Sequence, residues 1–386
     1  MRILMLAPEP FFEPRGTPIS VYFRLQALSS LGHEVTLLTY HLGADVAFPG
    51  LRIKRIPDLW RIKRVKIGPS LTKIPLDLLL VSLAKWELWR CRYDLIFSHE
   101  EAAIFGVILA RLWGIPHLYD MHSSLPQQLR NFRFTNSRLL IRLFQFLEKM
   151  VLKGSAAVIV ICRDLEQQLA KAGLATKAVL IENFLDFPGK EPSMEEIQQL
   201  RLTYASPQQK IVLYTGNFEP YQGISLLLEA ARASPPEAVF LLVGGTPAEI
   251  TTWSNAIEKM GLQNRVRLIP RVPPDQVHLF IAAADVLVSP RVRGTNTPLK
   301  IYSYLRSGKP LVATNLWTHT QAVRPEWAIL TEPDPEKMAQ AISFALSNPD
   351  AMARAIRAKE YATAVFTEDN YRTKIEQALS LIRKQA

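Results

Sequence analysis

Two histidines and one cation-rich loop are the residues of this chain whose type and spacing point to chemistry. His99 and His122 each follow a short apolar run, in Phe97-Ser98-His99 and Tyr119-Asp120-Met121-His122. A lone histidine more often makes a structural hydrogen bond. Two at the carboxyl ends of neighbouring strands can meet a ligand, because imidazole donates to a sugar hydroxyl or a phosphate near neutral pH. The loop runs Ser289-Pro290-Arg291-Val292-Arg293-Gly294-Thr295-Asn296-Thr297-Pro298-Leu299-Lys300. Two arginines enter a helix start and a lysine follows. Backbone N–H groups with Arg and Lys can cradle a diphosphate without a metal ion. Two further loops follow strands, Thr215-Gly216-Asn217 through Gln222-Gly223, and Arg15-Gly16-Thr17-Pro18 ahead of a helix. Gly16 would let backbone approach an anion at that helix start. An ordinary strand–helix turn reads the same way.

Other site chemistries lose support. The chain has no G-x-G-x-x-G, no G-x-x-x-x-G-K-[ST], no H-E-x-x-H, no G-x-S-x-G and no D-x-D pair. Dinucleotide-dependent redox enzymes, P-loop NTPases, zinc proteases and α/β-hydrolases therefore recede. Two cysteines, Cys91 and Cys162, exclude a disulfide scaffold and a four-cysteine zinc site. No cofactor and no metal are expected.

The elements that must hold these residues alternate between short apolar strands and helices of 10–15 residues, the pattern of parallel sheets with helical crossovers. Strands are expected at Ile3–Ala7, Glu34–Tyr40, Leu95–Ser98, His117–Tyr119 and Ala156–Ile161. After a Pro/Gly-rich break at Asn183–Ser193 the plan repeats, with strands at Lys210–Thr215, Ala238–Val243, Val266–Leu268, Val286–Ser289 and Leu311–Ala313. The fold class is α/β, two Rossmann-like doubly wound domains. Residues 1–185 form the first, residues 186–365 the second, and residues 366–386 a last helix. In a doubly wound sheet the carboxyl ends of the strands are where ligands bind.

A chain of 386 residues is long enough for two such cores. No run of about 18 apolar residues calls for a membrane span, and a cytoplasmic protein is expected. The net charge of +11 is uneven: residues 1–185 carry +9, and residues 52–92 alone carry +8. In residues 59–92 cations alternate with Trp60, Ile62, Val65, Trp86 and Trp89, and residues 130–153 repeat the mixture with Phe and Leu. Such stretches suit an anionic membrane surface, or equally a core helix with a solvated basic face. Nucleic acid is not an expected partner, since no recognition motif accompanies the charge.

Taken in order, these features resemble the retaining glycosyltransferases of family 4, which have the GT-B fold. The resemblance rests on the first strand and its loop, Leu31-Gly32-His33-Glu34-Val35, Asp120-Met121-His122, Glu182-Asn183-Phe184-Leu185-Asp186, Gly216 through Gly223, and Thr297–Pro310 running into Val312-Ala313-Thr314. It implies two domains facing across a cleft, with a nucleotide-sugar donor on the second and a glycan or lipid-linked acceptor on the first. The last helix would return to the first domain. Donor contacts would come from Gly16, Thr17, Asn217, Gln222, Arg291, Arg293, Thr295, Asn296, Thr297, Pro298, Leu299, Lys300 and Ser303. The base would lie near Gly244, Arg271 and Val272. His122 would contact the sugar or polarise an acceptor hydroxyl.

The chain departs from that family at four positions. The family's Glu-x7-Glu pair corresponds to Thr295 and Ser303, and its Arg and Lys after the first strand of the second domain correspond to Asn217 and Gln222. Arg291, Arg293 and Lys300 are the expected replacements for the missing cations. The departures leave two other classes open, a catalytically silent GT-B binding protein and a nucleotide-sugar epimerase.

Overall fold

The structure is a computed structural model and describes residues 1–13, 16–63, 65, 70, 72–127, 137–185, 187 and 191–383. Arg15, most of residues 64–71, residues 130–136 of the second basic stretch, and Asp186 lie outside them.

The chain divides into two compact units. One comprises Met1–Asn183 with Glu368–Ala386, the other Phe184–Thr367. The first is built on seven parallel strands: β1 (Arg2–Ala7), β2 (Glu34–Thr39), β3 (Leu51–Arg55), β4 (Leu95–His99), β5 (His117–Met121), β6 (Ala157–Val160) and β7 (Ala178–Leu180). Their order is β3-β2-β1-β4-β5-β6-β7, so the order reverses between β1 and β4. The inner strands are mostly apolar and buried on both faces, as a sheet covered by helices on each side requires, and their buried polar residues include Ser98 and His99 on β4 and His117 and Asp120 on β5. β3 and β7 close the two edges. β3 is Leu-Arg-Ile-Lys-Arg, half-buried, and its alternating cations are what an edge strand tolerates.

The second unit has six parallel strands: β8 (Lys210–Thr215), β9 (Ala238–Gly245), β10 (Val266–Pro270), β11 (Val286–Ser289), β12 (Leu311–Thr314) and β13 (Ile329–Thr331). The order β10-β9-β8-β11-β12-β13 places its reversal between β8 and β11. Its core joins the inner strands to helices Ile224–Ala233 and Pro335–Ser347.

The terminal helix Glu368–Arg383 packs on the first unit, against helix Thr17–Ser30 and strands β6 and β7. Tyr371, Ile375, Ala378, Leu379 and Ile382 are buried along one stripe. Two doubly wound sheets thus each present a strand-order reversal; Gly16 and His99 in the first and the Gly216–Gly223 and Ser289–Lys300 segments in the second follow or end the strands at the reversals, while His122, Gly244, Arg271 and Val272 lie at neighbouring strand ends.

Candidate functional site

In the second unit, three glycines shape the strand-end turns. Gly223 has φ +78, and a Cβ there would meet the Pro290 carbonyl oxygen at 1.9 Å. Gly244, at φ +125, lies so close to Gly216 that a Cβ would meet its carbonyl oxygen at 2.4 Å. Gly216, at φ +133, leaves the space that Lys300 fills, since a Cβ would stand 2.9 Å from its Nζ. Close backbone approach is what only glycine permits.

Lys300 opens helix Lys300–Ser307. Its Nζ is buried 3.7 Å from the centroid of the Tyr214 ring and has no hydrogen-bond partner. Burial, and then the Arg291 charge, push its pKa well below the ordinary lysine value. Arg291 lies 5.1 Å over the Tyr221 ring. Its guanidinium donates to the Asn296 carbonyl at 2.6 Å and to Thr318 Oγ1 at 2.8 Å. Its Nε has no partner, and burial lowers its pKa against the opposing pull of Tyr221 and Tyr214. Thr297 Oγ1 and Gln222 Oε1 are also buried without a partner. No carboxylate figures among the charges acting on either cation. Buried polar groups are nearly always satisfied and buried cations are paired, so Lys300 Nζ, Arg291 Nε and the Thr297 hydroxyl are donors that an anion could meet, whereas Gln222 Oε1 can only accept.

The loop is held from behind. Thr318 Oγ1 donates to the Asn296 carbonyl at 2.7 Å, and Gln321 Nε2 donates to the Thr295 carbonyl at 2.5 Å. Thr314 Oγ1 donates to the Arg291 carbonyl at 2.6 Å. His319 bridges Ser289 Oγ at 2.8 Å and the Thr314 carbonyl at 2.9 Å, and burial brings its pKa down to about 3, so it is neutral. The sequence reading missed Thr318, His319 and Gln321, and named Thr314 only as the end of a matching run. Their only signal is the run of polar residues Thr-His-Thr-Gln after a strand.

The other expected donor residues divide. Asn217 accepts from Gln222 Nε2 at 3.1 Å, and the Asn217 carbonyl accepts from Tyr214 Oη at 2.6 Å. Thr295, Asn296, Thr297, Pro298 and Leu299 form the loop that leads into Lys300, and Ser303 lies half-buried on its helix. Arg293 is exposed and makes no polar contact with the described residues. Arg271 is exposed at the end of β10, with its N–H on the Gly245 carbonyl at 3.2 Å. Val272 follows it, and Gly244 is the penultimate residue of β9.

In the first unit Arg24 and Asp120 form a buried ion pair. Asp120, on β5, is fully buried. Arg24, equally buried, donates from Nε to Asp120 Oδ2 at 2.9 Å, from one terminal nitrogen to the Tyr371 hydroxyl, and from the other to the Ile181 carbonyl at 3.1 Å. His99 Nδ1 and His122 Nε2 each approach the Asp120 carboxylate at 3.5 Å and stand 3.4 Å apart. Burial alone would raise the Asp120 pKa. Arg24, His122 and His99 outweigh it and hold the carboxyl well below the usual range. His99 is brought down to about 3 by burial, against the pull of Asp120, and stacks on Phe97. His99, Asp120 and His122 each bring one ligand atom within 4.8 Å of the others, a spacing a cation could use. Arg24 already places a fixed positive charge on Asp120, so the arrangement favours an ion pair over a bound cation.

Around that pair sit more carboxylates. Glu100 accepts from Thr17 Oγ1 and from Ser123 Oγ, both at 3.3 Å. It stands at φ +47, a conformation L residues seldom adopt, directly after His99. Burial raises its pKa, against the pull of His122. Glu9 is buried with Oε1 unpartnered, and burial followed by Glu100 raises its pKa well above the ordinary value. Gly16 caps the start of helix Thr17–Ser30 at φ +51. Arg24, Tyr371, Glu9 and Glu100 were not singled out from the sequence. Arg24 meets Asp120 across 96 residues of chain and Tyr371 across 347, beyond any local pattern.

Two family models match the chain. Residues 14–187 match the family model described as Glycosyltransferase Family 4, and residues 195–362 match Glycosyl transferases group 1. The chain is 22% identical over 315 residues to a sulfoquinovosyl transferase of Arabidopsis thaliana; the match covers 80% of this chain and 58% of that protein. Among solved structures, a sucrose-phosphate synthase from Thermosynechococcus elongatus superposes with a TM-score of 0.81 at 20% identity, covering 100% of both chains. Alr3699/HepE of Anabaena, solved in complex with UDP-glucose, gives 0.75 at 19% identity, covering 98% of this chain and 99% of that one. At these identities the likeness fixes the fold, which is that of the GT-B glycosyltransferases.

Proposed function

From the premise that the chain joins a Glycosyltransferase Family 4 domain to a Glycosyl transferases group 1 domain, we propose that it is a retaining glycosyltransferase. It would move a sugar from a nucleotide-sugar to a glycan or lipid-linked acceptor at the cytoplasmic face of a membrane. The donor would lie on residues 186–365 and the acceptor on residues 1–185, to which the last helix belongs. The observation that carries this reading is a pair of half-buried, carboxylate-free cations, Lys300 and Arg291, whose Nζ and Nε are out of water and unpartnered, with Thr297 Oγ1 also open in the same segment.

Breaking the anomeric bond leaves negative charge on the departing nucleoside diphosphate. Lys300 Nζ and Arg291 Nε have no other partner, so a diphosphate would meet both without displacing an existing bond. Preorganised cations in a dry site stabilise charge as it develops and need no reorganisation. They would supply the charge that a metal ion supplies elsewhere. Ser303 would hydrogen-bond the ribose, and Gly244, Arg271 and Val272 would border the base. His122 would contact the sugar or polarise the acceptor hydroxyl. Its ring is oriented by Asp120, which Arg24 keeps ionised. UDP is the first nucleotide to try, because the Anabaena structure holds UDP-glucose.

The test is thermal stability of the purified protein against nucleoside diphosphates without added metal. A ligand that binds only the native state must raise the midpoint. A rise with one nucleotide, absent in Lys300→Ala and Arg291→Ala, is expected. No rise with any nucleotide would overturn the reading. Thr295 and Ser303 stand where the family resemblance has carboxylates, and this favours a second reading, a protein that binds nucleotide without catalysis. Release of free sugar or transfer from the bound nucleotide-sugar separates the two.

A further inference from the structure

Three neighbouring helices of the first unit, Lys73–Arg90, Ala102–Trp113 and Arg138–Gly154, leave large apolar side chains in water. Trp89 is 76% exposed, Leu112 69%, Leu139 80% and Phe146 64%. On the last helix Leu139, Leu143 and Phe146 recur at helical spacing, with Arg142 and Lys149 interleaved and also exposed. Lys85, Arg90, Arg111 and Lys153 are exposed on the three helices as well.

The acidic residues of these helices are all turned inward. Asp77 accepts from the Tyr40 hydroxyl at 2.6 Å, and Glu87 from Lys54 at 2.6 Å and the Tyr93 hydroxyl at 3.1 Å. Glu148 accepts from Ser124 Oγ at 3.1 Å and the Leu125 N–H at 2.9 Å. Helix Ala102–Trp113 has no acidic residue. The exposed side chains within the three helices are therefore apolar or cationic except for the neutral Ser82 and Gln145, and none is acidic. Part of the basic sequence is spent internally: Arg55 donates to backbone carbonyls of residues 11, 40, 42 and 44, and Lys73 pairs with Glu101. The exposed cations are what remains.

We propose that this three-helix side is a docking surface for an anionic lipid bilayer, with Trp89, Leu112, Leu139 and Phe146 entering the acyl boundary and the cations meeting lipid headgroups. Charge complementarity selects this occupant. A second copy would oppose cations to cations, and exposed aliphatic side chains gain nothing from a phosphodiester backbone. No helix of the described residues is long and apolar enough to span a membrane. The inference deepens the lipid-linked-acceptor reading by naming the surface that would bring the protein to that acceptor.

The experiment is flotation of the full chain with phosphatidylcholine vesicles, with and without phosphatidylglycerol, at low and high salt. Binding is expected only with phosphatidylglycerol, with a blue shift of tryptophan fluorescence. Arg142→Glu with Lys149→Glu should lower partitioning at least about fivefold per cation removed. Leu139→Ser with Phe146→Ser should abolish what survives at high salt. All four positions are exposed, so circular dichroism should report unchanged folding. Lys300→Ala should float like wild type while losing its nucleotide response, which separates failure of docking from failure of the donor site. Equal binding to neutral vesicles, self-association relieved by the Leu139/Phe146 variant, or displacement from vesicles by soluble nucleic acid would each overturn the proposal.

Discussion

The two units place charged residues at the same topological position and treat them in opposite ways. In the first, every nitrogen of Arg24 has a partner, and Asp120 lies between a guanidinium and two imidazoles. In the second, Lys300 Nζ and Arg291 Nε have no partner and no carboxylate to answer them. A charge answered inside the protein serves to hold something in place. A charge left open under burial costs stability unless a ligand supplies its counter-charge. The contrast separates a positioning network from a binding site, and the predictions test it from the larger side down.

The largest effect is expected at Arg24. Arg24→Met leaves the Asp120 carboxylate buried without its main counter-charge, a loss of about 3–5 kcal/mol. For a unit of this size that lowers the midpoint by roughly 6–20 °C. The pH dependence gives the sign. With Arg24 present the folded Asp120 pKa is depressed, so its contribution is complete above the unfolded value and is lost as pH falls toward the folded one. Without Arg24, burial raises the folded pKa, and the variant gains stability as pH falls. The gap between the two proteins should narrow on acidification from neutral pH. Arg24→Lys, which keeps the charge, should recover part of the loss. A gap independent of pH, followed by calorimetry, would mean that Arg24 acts only through packing.

Lys300→Ala should do the reverse. Its nucleoside diphosphate affinity should fall about 100-fold, the scale expected when a buried site gives up one charge-assisted hydrogen bond. Its ligand-free midpoint should stay level or rise, because an unanswered buried cation has been removed. Titration calorimetry and a melting scan give the two numbers. A large drop in the ligand-free midpoint would show that Lys300 is structural, and the contrast would fail.

How much of this was legible follows from chain distance. The loop from Ser289 to Lys300 is contiguous, so its cations and helix start could be read directly. Tyr214, which lies under Lys300, could not: in Lys-Ile-Val-Leu-Tyr-Thr an aromatic reads as core. The inner strands were legible from their apolar runs. β3 was hidden by its own arginines, and β7 and β13 have three residues each, too few to show a period. Arg24 sits in a mostly apolar helix, where a lone cation reads as solvated. Only the packing of the terminal helix, with Tyr371, shows that it is buried.

A smaller effect is expected at Gly216. Gly216→Ala forces a Cβ into φ +133 and to 2.9 Å from Lys300 Nζ. The strain should cost more than about 1 kcal/mol, and the displaced lysine should weaken nucleotide binding in the same variant. Gly114→Ala, at φ +65 with nothing within 4 Å of the added carbon, is the control: strained likewise, it should leave nucleotide binding unchanged. Equal losses of binding in both would remove the connection between Gly216 and the site.

The smallest effect is a slope. Burial sets the folded Lys300 pKa well below its unfolded value, so between the two the unfolded chain holds a proton that the folded chain lacks. Stability then rises with pH across that window. Lys300→Met has no such term, so its advantage over wild type should be greatest at neutral pH and shrink as pH approaches about 10, the unfolded lysine value. A bound diphosphate inverts the sign for wild type. It raises the lysine pKa, so the charged contact is complete at lower pH and weakens as pH rises through the bound-state value. The ligand-free protein should therefore gain, and the complex lose, over the same alkaline range. Asp120 has its counter-charge already, and its acid-side slope should not respond to nucleotide. Opposite slopes at Lys300 and an unresponsive one at Asp120 are the form the contrast takes in a pH titration. Parallel slopes with and without nucleotide would place the ligand elsewhere.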